Sequence, residues 1–255
     1  MAVCEFHLNQ NNALQKMTSF TAIVPEGKPG PFPVFYLLHG LSDDHTAWTR
    51  RSSIERYVQE LPWIVVMPNG ERSFYTDSVS APKLAFETFF LKDLIGFVDS
   101  TFQTIPTRAG RVIAGLSMGG YGAFKLALKH PDLFCAAVSH SGAVAFASQP
   151  IGKEWDDRQQ WVSIFGDDPT GGPEDIFALA EKSDPTTRPA LRLDCGVDDF
   201  LIESNRHLHS HLDTLKIPHE YSEYPGAHTW EYWDTHVQDT IAFFKTVLPA
   251  TTSAP

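Results

Sequence analysis

Cysteine is scarce: Cys4, Cys135 and Cys195 are the only three in 255 residues. They are too few and too scattered for a disulfide framework or a zinc site, and an odd count suits a reducing compartment. Long apolar runs are missing too. No stretch approaches the roughly 18 consecutive apolar residues that a transmembrane helix needs. The N-terminal Met-Ala-Val-Cys-Glu-Phe-His has neither a basic n-region nor an apolar h-region, so no signal peptide is visible. The cytoplasm is the expected compartment. Positive charge is in deficit, with 20 Lys and Arg against 31 Asp and Glu, a net −11. Phosphates would repel such a surface, which argues against nucleic-acid and anionic-membrane partners. No internal repeat appears, so solenoids and propellers are excluded.

What is present is a chain that is 42% apolar and 20% charged. It can bury a large core, and disordered, collagen-like and coiled-coil readings fail. The length suits one α/β domain spanning 1–255, with a frayed tail at 250–255. Short continuous apolar runs at Val34–Leu38, Ile64–Met67, Arg111–Ala114, Cys135–Ser139 and Leu191–Cys195 read as strands buried on both faces of a parallel sheet. Met17–Val24 reads as an early antiparallel strand and Glu220–Tyr224 as a late one. Between them lie amphipathic helices. Ser52-Ser-Ile-Glu55 offers a capping box ahead of Ile54, Tyr57, Val58 and Leu61. Phe86 to Phe102, Leu201 to Leu215 and Trp230 to Leu248 carry further stripes. Strands alternating with helices predict a doubly wound, mostly parallel sheet with helices on both faces. Residues 143–189, with Trp155, Trp161 and Asp168-Pro-Thr-Gly-Gly-Pro173, break the rhythm and suggest a small cap-like insertion over a pocket.

The strongest local signal is Arg111-Val-Ile-Ala-Gly115-Leu-Ser117-Met-Gly119-Gly120-Tyr-Gly122. This is G-x-S-x-G between a buried strand and a helical run. At such a corner the serine backbone is strained, and the residues two before and two after must be small because strand and helix pass close together. The turn lifts the Ser117 hydroxyl to a helix N-terminus, where free N–H groups favour developing negative charge. Composition alone would produce the pattern roughly 0.08 times in a chain of this length, so chance is the poorer account.

A serine hydroxyl needs a base, and the base needs an orienting group. With this corner the order along the chain is Ser, acid, His. His228 follows the late strand and a Pro225-Gly226 turn and precedes the last helix, which sets it at the carboxyl edge of the sheet. Either Asp198 or Asp199 fits the acid's place; Asp199 could also cap the helix beginning near Phe200. The backbone N–H groups of Leu41, after His39-Gly40, and of Met118 are the candidate oxyanion donors. His207, His209 and His211 alternate on a helix, so only the outer two share a face, and no third ligand accompanies them. His130 suits a helix C-terminus and His236 a helix surface.

Taken together, several segments give the chain a resemblance to the esterase D / putative esterase family of α/β-hydrolases. They are Leu37-Leu-His-Gly-Leu-Ser-Asp-Asp-His-Thr-Ala-Trp48, Ser73-Phe-Tyr-Thr-Asp77, Glu87-Thr-Phe89, Gly115-Leu-Ser-Met-Gly-Gly120, Cys195-Gly-Val-Asp-Asp-Phe-Leu201 and Pro225-Gly-Ala-His-Thr-Trp230. That family includes tributyrin-type esterases, S-formylglutathione hydrolases, feruloyl and acetyl esterases and, more remotely, mycolyltransferases. The resemblance implies a triad of Ser117, Asp199 and His228, and supports the Leu41 donor. Leu116 stands where the S-formylglutathione hydrolase branch usually carries His, which leans the reading toward the tributyrin-type branch. The resemblance thus implies a serine carboxylesterase acting on small short-chain acyl or aryl esters through an acyl-enzyme. A thioesterase or an acyltransferase would use the same residues. A silent binding protein on this fold would typically have lost a triad member, and all three are here. No metal or organic cofactor is expected, because the triad supplies nucleophile and base and the backbone supplies the electrophile. Ser73–Asp77 and residues 143–189 are expected to line the pocket.

Overall fold

Neighbouring residues on each central strand face different cores. In the computed structural model, which describes residues 1–249, eight strands form one sheet in the order β1-β2-β4-β3-β5-β6-β7-β8. They are β1 Ala2–Leu8, β2 Thr18–Val24, β3 Val34–Leu38, β4 Ile64–Pro68, β5 Arg111–Leu116, β6 Ala136–His140, β7 Ala190–Gly196 and β8 His219–Tyr224. Val34, Tyr36 and Leu38 join Ile64, Val66 and Ile113 on one face. Phe35 and Leu37 join Val65, Met67, Val112 and Ala114 on the other. Both sides of these strands are therefore apolar, as the continuous runs predicted.

Helices cover each face. Helices α1 Ala47–Arg51, α2 Ile54–Val58 and α9 Trp230–Val247 pack on the Phe35 side. On the Tyr36 side lie α3 Phe86–Thr88, a π-helical turn Phe89–Leu94, α4 Ile95–Thr101, α5 Met118–Lys129, α6 Arg158–Phe165, α7 Ile176–Lys182 and α8 Ile202–Thr214. The molecule has the α/β-hydrolase fold. Among the described residues no helix is long and apolar enough to cross a membrane.

Four details differ from the sequence reading. β1 is an additional strand, antiparallel to β2. It escaped notice because its side chains are only half covered, apart from Leu8. β2 is antiparallel to both its neighbours, but β8 runs parallel to β7, so the late strand is not antiparallel. The capping box does not form. Ser52 donates its hydroxyl to the Trp48 carbonyl at 2.5 Å, and the Ser53 N–H goes to Asp234 Oδ1 at 2.6 Å. The Ser52 N–H that the box would have used also goes to the Trp48 carbonyl, at 3.1 Å, so the end of α1 takes the donor and Asp234 of α9 holds the start of α2 instead. The Phe86–Phe102 helix is continuous but carries the π-helical turn. The expected frayed tail, 250–255, lies outside the described residues.

Candidate active site

Strand β5 enters α5 through Ser117, whose φ of 54° is a conformation that costs a non-glycine residue energy. Its neighbours explain why the corner tolerates only glycine beside it. A Cβ on Gly115 would lie 2.4 Å from the Gly119 carbonyl group, and one on Gly119 would lie 2.6 Å from the Leu38 and His39 carbonyl oxygens. The corner is pinned from β6 and beyond. The Ser117 N–H donates to the His140 carbonyl at 2.9 Å, and the Ala143 N–H donates to the Ser117 carbonyl at 3.1 Å.

Three sequence-selected side chains meet here. Ser117 Oγ lies 3.0 Å from His228 Nε2, and His228 Nδ1 lies 2.8 Å from Asp199 Oδ2. The other Asp199 oxygen accepts the Leu201 N–H at 2.8 Å, in the turn that leads into α8. Asp199 is 2% exposed. Burial pushes its carboxyl up, but the bonds from His228 and Leu201 outweigh this and hold it below the ordinary aspartate value. The helix it was expected to cap begins two residues later than Phe200, at Ile202, with Leu201 as N-cap. Asp198 is exposed and meets neither His228 nor Ser117. Trp233 sits edge-on to the His228 ring at 4.9 Å, and Phe200, 77% exposed, lies against it at 4.6 Å.

The loop after β3 passes beside the serine: a Cβ on Gly40 would lie 3.5 Å from Ser117 Cβ. Among the described residues, neither the Leu41 nor the Met118 N–H donates to another protein group. Both remain available to an anion. Three side chains that the sequence reading did not single out fix this loop. Trp48 Nε1–H donates to the Leu38 carbonyl and the Tyr75 hydroxyl to the His39 carbonyl. His39 Nδ1–H donates to the Gly40 carbonyl while its Nε2 accepts the Gly70 N–H, both at 2.8 Å. Burial pushes the His39 pKa down to about 4, so the ring is neutral and can serve as donor and acceptor at once. The Tyr75 and Gly70 contacts join segments more than 30 residues apart, so no spacing rule could have found them.

A concavity of about 440 Å³ opens over Ser117, walled by Leu41, Leu116, Trp230 and Trp233 and rimmed by Asp43, Arg51 and Glu231. Neither Ser73–Asp77 nor residues 143–189 line it. These two segments pack on one another instead and enclose a second cavity of about 260 Å³ between Ser73, Thr76, Phe86, Gln160 and Ile164. Trp161 belongs to local core, with Phe146 and Phe165 packed around Phe74; Trp155 rests half-buried on Phe146. A buried ion cluster that sequence could not reveal lies beneath: Lys125 Nζ, wholly enclosed, reaches Glu87 at 2.6 Å and Glu174 at 3.2 Å.

The other histidines weighed from the sequence make their contacts elsewhere. His130 caps α5 and pairs with Glu87. His236 is stacked on Tyr224 at 4.0 Å rather than lying free on its helix. His207 and His211 both rest on the Phe177 ring. Among the described residues one group has the spacing to hold a metal ion, His209, Asp213 and His219. It contains none of the residues of this site.

The family model described as putative esterase matches residues 12–244. An acetyl esterase of Caldicellulosiruptor saccharolyticus is 30% identical, over 97% of this chain and 99% of that protein. The solved structure of fluorophosphonate-binding serine hydrolase F of Staphylococcus aureus superposes with a TM-score of 0.82 at 29% identity, over 95% of this chain and 98% of that one. A structure of an S-formylglutathione hydrolase from the same organism matches with the same TM-score, identity and coverage.

Proposed function

The chain belongs to the putative esterase family, and we propose that it is a serine carboxylesterase that hydrolyses short-chain acyl or aryl esters. The observation that carries the assignment of residues is the hydrogen-bond chain from Asp199 through His228 to Ser117. Ser117 attacks the ester carbonyl as His228 Nε2 takes its proton. Asp199 holds the ring with its proton on Nδ1 and stabilises the imidazolium that results. The oxyanion gathers the Leu41 and Met118 N–H groups, each donor of this kind contributing about 3–4 kcal/mol to the barrier reduction. His228 returns the proton to the departing alcohol, and water then releases the acid from Ser117. Every group in this cycle comes from the chain, so the cycle calls for no metal or organic cofactor.

We read the chain as one hydrolase domain in which residues 143–189 form a cap-like excursion. Its position between β6 and β7, tied to Ser117 through Ala143, supports this. A cytoplasmic location is supported by the three thiols, none of which is paired. Glutathione thioesters form a second reading, favoured by the likeness to an S-formylglutathione hydrolase. Leu116 beside the serine weighs for simple esters.

A fluorophosphonate probe should label the wild type and leave Ser117→Ala unlabelled. On nitrophenyl acyl esters of rising chain length, Ser117→Ala should lose several orders of magnitude in kcat/KM while its circular dichroism is unchanged. Survival of more than about a tenth of the activity would exclude Ser117 as the nucleophile, because triad mutants leave far less. Running methyl ferulate, a glutathione thioester and added alcohol acceptors in the same panel separates ester from thioester hydrolysis and from acyl transfer.

A further inference from the structure

We infer that His209, Asp213 and His219 form a binding site for a zinc-type transition-metal dication at the edge of the sheet opposite Ser117. His209 and Asp213 lie four residues apart on α8 and so share a face. His219 opens β8 beside them. The three residues offer ligand atoms that all lie within 4.8 Å of one another.

The histidine geometry points to an ion rather than to chance proximity. The His219 side chain is 3% exposed, and its Nδ1 lies 2.8 Å from the Ile217 carbonyl oxygen. A carbonyl only accepts, so the proton sits on Nδ1 and Nε2 carries a lone pair. Metal-bound histidines are held in this way, their second nitrogen donating to a carbonyl or carboxylate. That lone pair faces His209 Nδ1 at 2.8 Å, and the His209 ring is oriented by stacking on Tyr221 at 4.2 Å. Asp213 lies 4.0 Å from that same His219 Nε2 and 3.5 Å from the other His209 nitrogen, Nε2, and with one ligand atom from each residue the three fall within 4.8 Å of one another.

Two nitrogens bonded to zinc at about 2.0–2.1 Å in a tetrahedron stand roughly 3.3 Å apart. The rings must therefore part by about half an ångström for an ion to replace the proton between them. His209 is on the helix surface, 33% exposed, and can make that movement. Two imidazoles and one carboxylate suit zinc, nickel or copper better than magnesium or calcium, with water completing the coordination.

The location sets the role. Ser117, Asp199 and His228 follow the carboxyl ends of β5, β7 and β8, whereas His219 begins β8, whose six residues span roughly 20 Å. The ion would staple the last turn of α8 to the first residue of β8, two elements whose other ends lead to Asp199 and His228. It would stabilise the fold by mass action and leave the chemistry of Ser117 untouched.

The test uses chelator-stripped, full-length protein titrated with zinc chloride by calorimetry and thermal unfolding, and with cobalt chloride by visible absorption. One zinc per chain, a raised Tm, and cobalt bands of a four- or five-coordinate ion are expected, with ester hydrolysis unchanged by chelation. His209→Ala, at a half-buried position, and Asp213→Asn, at an exposed one, should each weaken binding at least about tenfold, the size of a lost ligand-shell contact. His207→Ala should bind as the wild type does. Because loss of the covered His219 threatens the fold, these two less buried positions carry the result. Absence of saturable binding, equal binding by His209→Ala and wild type, or binding that disappears in His228→Ala would overturn the proposal.

Discussion

His228 Nδ1 and Asp199 Oδ2 lie 2.8 Å apart although 29 residues separate them in the chain. Parallel pairing of β7 with β8 sets the ends of the two strands side by side, with Gly196 opposite Tyr224. The loops that follow then approach so closely that a Cβ on Gly196 would lie 2.3 Å from the Gly226 carbonyl oxygen. The Asp198 N–H donates to that same carbonyl at 2.9 Å, which fixes the turn and leaves the next residue, Asp199, facing inward.

Asp199→Asn should fold normally yet lower kcat by roughly 10⁴, since the amide neither stabilises the imidazolium nor enforces the right tautomer. Asp198→Asn should stay within a few-fold of wild type, because its backbone bond to Gly226 survives. Both are measured on one short acyl ester at neutral pH. A large loss for Asp198→Asn beside a near-normal Asp199→Asn would reverse the assignment.

Gly119→Ala drives a Cβ against two backbone carbonyls at 2.6 Å, which cannot rotate away. We expect destabilisation of about 1–3 kcal/mol or more in denaturant titrations, together with loss of activity as the corner shifts. Gly96→Ala is the contrast. It lies in α4 with open space around it, so the same added methyl should stabilise by about 0.5–1 kcal/mol.

His39 gives a pH dependence whose sign follows from its lowered pKa of about 4. The unfolded chain binds a proton at this residue below about 6.5 and the folded chain does not until about 4. Its contribution is complete above about 6.5 and is lost as pH falls from there to about 4, a difference of about 3 kcal/mol. His39→Gln should show a shallower fall in unfolding free energy between neutral pH and pH 4.5 than the wild type. Parallel curves would mean that another group carries the dependence.

Lys125→Met should cost about 3–5 kcal/mol, because Glu87 and Glu174 then lose their enclosed counter-charge. Burial raises the Glu87 carboxyl, but Lys125, His130 and Lys129 together hold it well below the ordinary glutamate value. That stability is complete above the ordinary carboxylate range and is lost as pH falls toward the depressed folded value. Adding Glu87→Gln to Lys125→Met should recover part of the loss in the same titration. A double mutant less stable than the single one would refute the pairing.

The doubly wound sheet and the strand–serine–helix corner could be read directly from the sequence because both are local. A continuous run such as Val34–Leu38 states that both faces are buried, and Gly115 and Gly119 mark where backbones touch. His228 was legible for a related reason, its place just after the last strand. Other features depend on contacts between segments that sequence does not order. β1 is a half-covered edge strand with little apolar signal. Asp198 and Asp199 carry the same side chain, and only the turn built on Gly226 decides which one faces His228. Among the three alternating histidines, spacing favoured the outer pair, but both rest on Phe177, and the central His209 meets His219 because β8 returns beside α8. Side-chain chemistry and period are properties of the chain itself; which groups meet is decided by the pairing of strands that lie far apart along it.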